Sequence, residues 1–451
     1  MREVCCIILA IYVVNVTCYQ FSNTDISIVN ESQLKIRFTG HEDVSFVSVY
    51  IKQAGKKDRL YNLDTRKDDD TWEFVDTDAN VKVGDVISYK TIIGRKNTVK
   101  KLNWKPVTLL PENTVAPLRS IRKVTVFRDD FNTFDRSHYK IEVDATGGGN
   151  GEFQAYTPEV ANIYVKNGHL YIKPTFTVDH ASFTASDLYN GQMDVKALWG
   201  VCTRSIHHGC LKSAYGDGQE ILPPIMSGKI YTNAAIKYGR VNVRARIPRG
   251  DWLWPAIWLM PSKSVYGNWP RSGEIDVMEA RGNVKMVSPN GVNHGITQIA
   301  STLNWGPDPR HSAGRLTHKT LQSTHGDWHR WHTYSLEWTE QHLICLVDDQ
   351  VILQVNTPSE GFWKFGHFNG TNIWGDSLNA PFDQPFQLLL NVAVGGNKYF
   401  SDNLQYDTPK PWRNYSPHPM RDFWEKKSVW LPTWHGDNIA LLVDYVEMIQ
   451  Y

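Results

Sequence analysis

Residues 272–283 read SGEIDVMEARGN and carry three carboxylates, Glu274, Asp276 and Glu279, at offsets i, i+2 and i+5. On a helix, Glu274 and Glu279 would diverge by about 140° around the axis. On a regular strand, Glu274 and Asp276 share a face and Glu279 points away. One bulge residue between Asp276 and Glu279, either Val277 or Met278, returns all three acids to one face. The outer two then stand roughly 13 Å apart along the strand. Side chains leaning inward could close that to the ~5–5.5 Å of a carboxylate pair that cleaves a glycosidic bond by double displacement. Clustered acids raise each other's proton affinity, so at least one stays protonated near neutral pH, as a general acid requires. Spacing alone leaves two other readings open. Three carboxylates suit calcium or magnesium, and a solvated surface strand needs no ligand.

Composition narrows the partner. Lys plus Arg is 48 and Asp plus Glu is 47, so no net field favours nucleic acid or an acidic membrane. Hydrophobic content of 41% marks a globular chain. Much of the 17 Trp, 20 Tyr and 17 Phe must be core, yet so many Trp also suit a sugar cleft, because flat indole faces stack on the C–H faces of pyranose rings. That context favours a sugar as the ligand of the acids.

The acids need a scaffold of strands. From about residue 123 short strands recur, among them SGKIYTNAAI, YGRVNVRARI, AIWLM, HTYSLEWT, HLICLVDD and FQLLLNVAV, with Gly, Pro and Asn turns between them. Strand–helix–strand alternation is missing, which disfavours a parallel nucleotide fold and favours a large antiparallel sandwich or jelly roll over 123–451. Residues 19–107 read as a second, small all-β sandwich, with strands such as QLKIRFT, VSFVSVYIKQA and DVISYKTII. The Pro- and Asn-bearing stretch TLLPENTVAPLRS falls in the expected linker, 108–122. At the N-terminus Arg2 precedes an apolar run from Val4 to Val14, too short to span a bilayer. It reads as a secretory signal peptide over 1–18, so the protein is expected to be extracellular, without membrane insertion. Acceptor triplets at Asn30, Asn369 and Asn414 fit that route and predict a glycoprotein. Cys202 and Cys210 bracket a short loop; four zinc-type ligands are lacking there despite His207 and His208, so a local disulfide is expected. Cys345, in the alternating run HLICLV, is expected to be a buried free thiol.

The acid-bearing segment resembles the catalytic strand of glycoside hydrolase family 16, laminarinase branch, with its E-[IL]-D-x-x-E pattern. GGGNGEFQAYT (147–157), SGKIYT (227–232), YGRVNVRARIPRGDWLWPAIWLMP (238–261), HTYSLEWT (332–339), PFDQPFQLLLNVAVGGN (381–397) and VDYVEM (443–448) resemble the same family in the expected order. Within it the chain is most similar to invertebrate members that bind or cleave β-1,3-glucan. The resemblance implies a concanavalin-like β-sandwich jelly roll, preceded by a small immunoglobulin-like β-sandwich. It implies Glu274 as nucleophile, Asp276 as its hydrogen-bonding assistant and Glu279 as acid and base. Asn150, Glu152, Arg240, Trp254, Trp258, Trp269 and Asn391 match positions lining the glucan cleft. No cofactor is implied for the chemistry; a structural calcium near the terminal strand would take Asp444 as a ligand. TWEFVDTDANVKVGDVISYKTIIGRKN (71–97) resembles carbohydrate-binding module family 39, with Trp72 and Tyr89 as aromatics to test. For Trp72, Tyr89 and Trp258, core packing is an equal reading.

Two positions depart from the family pattern. Asn242 stands where a carboxylate is usual, and Asn304 where His is frequent, near the cleft. Other motifs are weaker. GGGNG lacks a following helix for phosphate binding. His325, His329 and His332 lack a helical metal-binding context, and Arg249-Gly250-Asp251 lies where a turn already explains the glycine. Two functions therefore compete: a secreted retaining endo-β-1,3-glucanase, and a β-1,3-glucan recognition protein of innate immunity with partners in a defence cascade. A calcium-bridged lectin is a third reading of the acids.

Overall fold

The computed structural model describes residues 123–216 and 219–451. It also describes 24–29, 33–39, 44–53, 59–63, 71–82, 85–95, 98–101 and 105–108, with Lys56 and Asp58. The leader expected at 1–18, the acceptor Asn30 and the linker beyond Thr108 lie outside the described residues. By internal contacts the chain divides into two units, 1–121 and 122–451.

In the first unit, period-two alternation builds two antiparallel sheets. One orders Thr24–Val29, Gln33–Thr39 and Thr71–Asp76; the other orders Arg59–Leu63, Val44–Gln53, Val86–Arg95 and Thr98–Lys101, with Lys105–Thr108 also paired to Val86–Arg95. Leu34, Ile36 and Phe38 from the first sheet meet Val47, Val49 and Ile51 from the second in one core. Trp72 belongs to that core. It is 2% exposed and lies 5.8 Å from Phe38, ring to ring, so it is not a surface platform for sugar. Tyr89 is half-buried against the same core.

In the second unit two large antiparallel sheets face each other as a β-sandwich of the expected class. The seven-stranded sheet runs Tyr139–Ile141, Lys229–Ile236, Phe386–Val394, Leu253–Pro261, Glu274–Ala280, Gln298–Asn304, His318–Gln322. The other runs Ile163–Lys166, His169–Ile172, Leu441–Gln450, Gly239–Arg246, Trp331–Trp338, His342–Val347, Gln350–Asn356, with Val124–Asp129 beside Leu441–Gln450. Along Gly239–Arg246 every second residue is buried and the others reach solvent, the signature of a sheet with one wet face. Phe386–Val394 is buried along nearly its whole length, and Leu253–Pro261 along its first five residues. Those central strands have the core on one face and a side-chain-filled cleft on the other, which is why they read as largely apolar runs.

Cys202 and Cys210 form the expected disulfide, with Cα atoms 5.6 Å apart, and Cys345 is a buried free thiol. Asp251 is buried; it accepts from Asn283 and its own N–H donates to Thr433, so Arg249-Gly250-Asp251 is not a presented adhesion loop. His329 bonds the Ile247 carbonyl and His332 bonds Asp348, separate partners that keep the histidines from acting as one ligand set. Among the described residues no helix is long and apolar enough to cross a membrane.

Candidate active site

The strand Glu274–Ala280 is bulged. Glu274 faces Asn304 and Asp276 faces Thr302, yet Glu279 faces Ala300, so three steps on one strand match two on its neighbour. On the other side Trp258 faces Asp276 and Ile257 faces Met278, which makes Val277 the extra residue. The Val277 carbonyl accepts from the Ser301 hydroxyl at 2.6 Å, satisfying a backbone group that the bulge removes from the ladder. All three carboxylates thereby reach one cleft of about 940 Å³, whose lining includes Asn150, Glu152, Trp254, Trp258, Trp269 and Asn391. Pairing across the sheet sets their order. One row runs Lys229, Asn391, Ala256, Glu279; the next runs Tyr231, Leu389, Trp258, Asp276.

Each acid has different neighbours. Asp276 is buried, while Glu274 and Glu279 keep partial exposure to the cleft. Burial first, then the Glu279 charge, pushes Glu274 up to about 7. Burial and both neighbouring glutamates hold Asp276 well above the usual carboxylate range. Burial also raises Glu279, against the Trp254 N–H and the Arg281 charge, which pull it down. Hydrogen bonds decide where a shared proton rests. Glu274 accepts from Asn304 and is bonded by the side chains of Trp269 and Asp276. Glu279 accepts from the Trp254 indole at 2.9 Å. Donors from Asn304 and Trp269 favour the charge on Glu274, and the Trp254 donor favours it on Glu279. Once Glu279 is protonated, its charge no longer raises Glu274.

The tryptophans divide their roles. Trp254 is 8% exposed, and Tyr399 stacks on it at 3.7 Å and 4°, so its ring face is covered and its N–H orients Glu279. Arg281 caps that stack, 3.8 Å from the Tyr399 ring. Trp258 donates to Asn391, which in turn donates to the Tyr156 hydroxyl at 3.0 Å. Trp269, 41% exposed at the cleft, is the ring free to stack on a sugar. Glu152 is buried behind the Gly-rich loop and accepts from Gln154 at 2.8 Å. A Cβ on Gly148 would lie 2.2 Å from Glu152 Oε1, and its φ is +60°, so this glycine lets the backbone close over the carboxylate.

Two sequence expectations fail. Arg240 is not in the cleft. It lies on the solvent face of the opposite sheet, paired with Asp349 at 3.1 Å and Glu337 at 3.5 Å. Its strand lies in the other sheet, and its parity points it away from the core. Asp444 is not in a cation site. Its carboxylate is taken by the Arg244 guanidinium and faces His169 at 3.4 Å. A guanidinium on a carboxylate blocks metal ligation, and among the described residues no group of three His, Cys, Asp or Glu is arranged to hold an ion. Asn242 bonds Arg240, Ser335 and Glu447 on the same outer face, away from the cleft.

Sequence reasoning missed the buried pair of Lys229 and Glu142, 3.2 Å apart in the cleft wall, with Tyr231 bonded to the same carboxylate. The signal was present in SGKIYT: Lys229 and Tyr231 share strand parity, and a lysine on a buried strand face demands an acid. Glu142 lies 87 residues away in sequence, so its identity was not readable from the motif.

Comparison with known proteins agrees with this geometry. Residues 203–374, which include the bulged strand, match the model of Glycosyl hydrolases family 16. The chain is 38% identical over 343 residues to a Beta-1,3-glucan-binding protein of Penaeus monodon, covering 72% of this chain and 89% of that one. It is 33% identical over 287 residues to Glucan endo-1,3-beta-glucosidase A1 of Niallia circulans, covering 60% of this chain and 34% of that one. The laminarinase of Rhodothermus marinus superposes with a TM-score of 0.45 at 23% identity, over 73% of this chain and 98% of that one. With the acid strand, its flanking blocks and most of a relative's length matched in order, the chain belongs to glycosyl hydrolases family 16.

Proposed function

We propose that the protein is a secreted, retaining endo-β-1,3-glucanase. The observation that carries this reading is the Val277 bulge, which turns Glu279 back beside Glu274 in a tryptophan-lined cleft. Glu274 attacks the anomeric carbon as Glu279 protonates the departing oxygen; a glycosyl ester forms and the glycosidic bond breaks. Glu279, now a carboxylate, takes a proton from water, which cleaves the ester with net retention. Asp276 holds Glu274 in place. The acids line a cleft, which suits attack within a chain. The family relationship and the glucosidase relative support the chemistry; the unit 19–107 would hold insoluble glucan.

The second reading is glucan recognition in innate defence with little hydrolysis, supported by the glucan-binding name of the Penaeus relative. Purified full-length protein incubated with laminarin decides between them. Oligosaccharide release, undiminished by a chelator, is expected; no release at any pH from acid to neutral would leave recognition alone. Removing 19–107 should spare turnover of soluble laminarin and weaken pull-down on insoluble β-1,3-glucan. Pull-down unchanged by the deletion would remove the module from the proposal.

The Trp254 bond to Glu279 makes a separate prediction. Trp254→Phe keeps an aromatic ring against Tyr399 and deletes the N–H. A hydrogen bond to a charged group contributes about 1.5–3 kcal/mol, so Glu279 should bind its proton more tightly. The basic limb of the pH–rate profile should move up by about one unit and turnover fall about tenfold. An unmoved basic limb would show that Trp254 only fills space.

A further inference from the structure

Asn304 closes the strand Gln298–Asn304, directly opposite Glu274. Its amide nitrogen lies 2.8 Å from Glu274 Oε1 and 2.8 Å from Asp276 Oδ2. An amide nitrogen carries two hydrogens and accepts nothing, so both of those oxygens must be acceptors. The proton of the Glu274–Asp276 pair is thereby excluded from either oxygen. It is left to Asp276 Oδ1 or Glu274 Oε2, the two oxygens that the amide leaves uncovered.

A glycine keeps the amide in that orientation. A Cβ on Gly314 would lie 2.5 Å from Asn304 Oδ1, and Gly314 has no positive φ to explain its identity. The amide oxygen occupies the space that the missing methyl leaves.

Building on the glucanase reading, we propose that Asn304, seated against Gly314, is a positioning residue that clamps Glu274 to Asp276 and favours the ionised nucleophile. An amide does this without titrating, so its two donated bonds are the same on both sides of neutrality. The surroundings do not duplicate the device. Lys229 favours the Glu274 charge from across the cleft wall, three strands away, and Glu279 opposes it. Arg281 and Glu152 act on Glu279 with opposite signs. Cys345 and Tyr399, close to Asp276, are both pushed up by burial and stay neutral. His318, bonded to Thr302, is lowered by burial and by the Arg281 charge, so it too is neutral near pH 7.

The test reads the proton directly. In full-length protein labelled with carboxyl-¹³C glutamate, the Glu274 resonance is assigned by its loss in Glu274→Gln and titrated beside the acid limb of kcat/KM on laminarin. Asn304→Leu should raise both midpoints by about one unit, roughly a tenfold loss of kcat/KM below the limb. Gly314→Ala, which leaves Asn304 in place and displaces its amide, should shift both in the same direction. Thermal unfolding checks that each variant folds, and Asn304→Gln serves as a further probe if Leu does not. Folded variants whose Glu274 midpoint stays within about 0.3 unit of wild type would overturn the proposal, even if turnover falls. A Glu274 resonance shifted in the variants of a protein whose wild type releases nothing from laminarin would instead defeat the glucanase reading and leave the role of Asn304 standing.

Discussion

Glu274→Gln is expected to lower oligosaccharide release from laminarin by at least about 10³-fold, because an amide oxygen cannot form the glycosyl ester through which both steps pass. Binding should survive, since Trp269 and the other cleft walls are untouched. Stability should change as well. Glu274 is pushed up to about 7 in the folded protein, against roughly 4.3 for an unfolded glutamate. A raised folded value means that the native state binds the proton more tightly than the unfolded chain. The favourable contribution is full below about pH 4.3 and is lost as pH rises through 7. Glu274→Gln should therefore melt with wild type at pH 4 and a few degrees above it at pH 8. A variant that still cleaves laminarin, or a melting difference that does not grow with pH, would remove Glu274 from the nucleophile's place.

Glu279→Ala is expected to cost about 10²–10⁴ on laminarin, whose sugar leaving group needs a proton. The loss should depend on the leaving group. An aryl β-laminaribioside with an acidic phenol departs unaided, so its first step should stay near the wild-type rate and the glycosyl-enzyme should accumulate. Azide, which needs no general base, should then speed turnover and give the β-glycosyl azide, by attack on the Glu274 ester. An α-azide would mean that the two acids have exchanged roles. A uniform loss on all substrates without azide rescue would show that Glu279 acts through structure only. Its burial and the Trp254 bond give the physical reason to expect the acid here.

Much of this was legible in one dimension. Offsets of two and three steps between acids on a strand have one solution that puts them on a common face, and the bulge at Val277 is that solution. Alternation in GRVNVRAR and the largely apolar runs of LWPAIWLMP and FQLLLNVAV report one wet sheet face and one covered sheet. The Cys202–Cys210 loop closes because eight residues hold its ends near each other. These are local constraints, set by the strand period and chain reach.

The misplaced residues fail for one reason. Arg240 and Asp444 each carry side chains suited to the role expected of them, yet their roles depend on which sheet, which face and which distant partner they meet. Arg240 meets Asp349 across 109 residues, and Asp444 meets Arg244 across 200. Lys229 and Glu142, and the Asn304 amide with the Gly314 space behind it, arise from the same kind of encounter. Strand periodicity assigns a side chain to one of two faces; only sheet order and register decide what waits there, because the pairing energy of two charges or two rings is set by contact and not by chain distance.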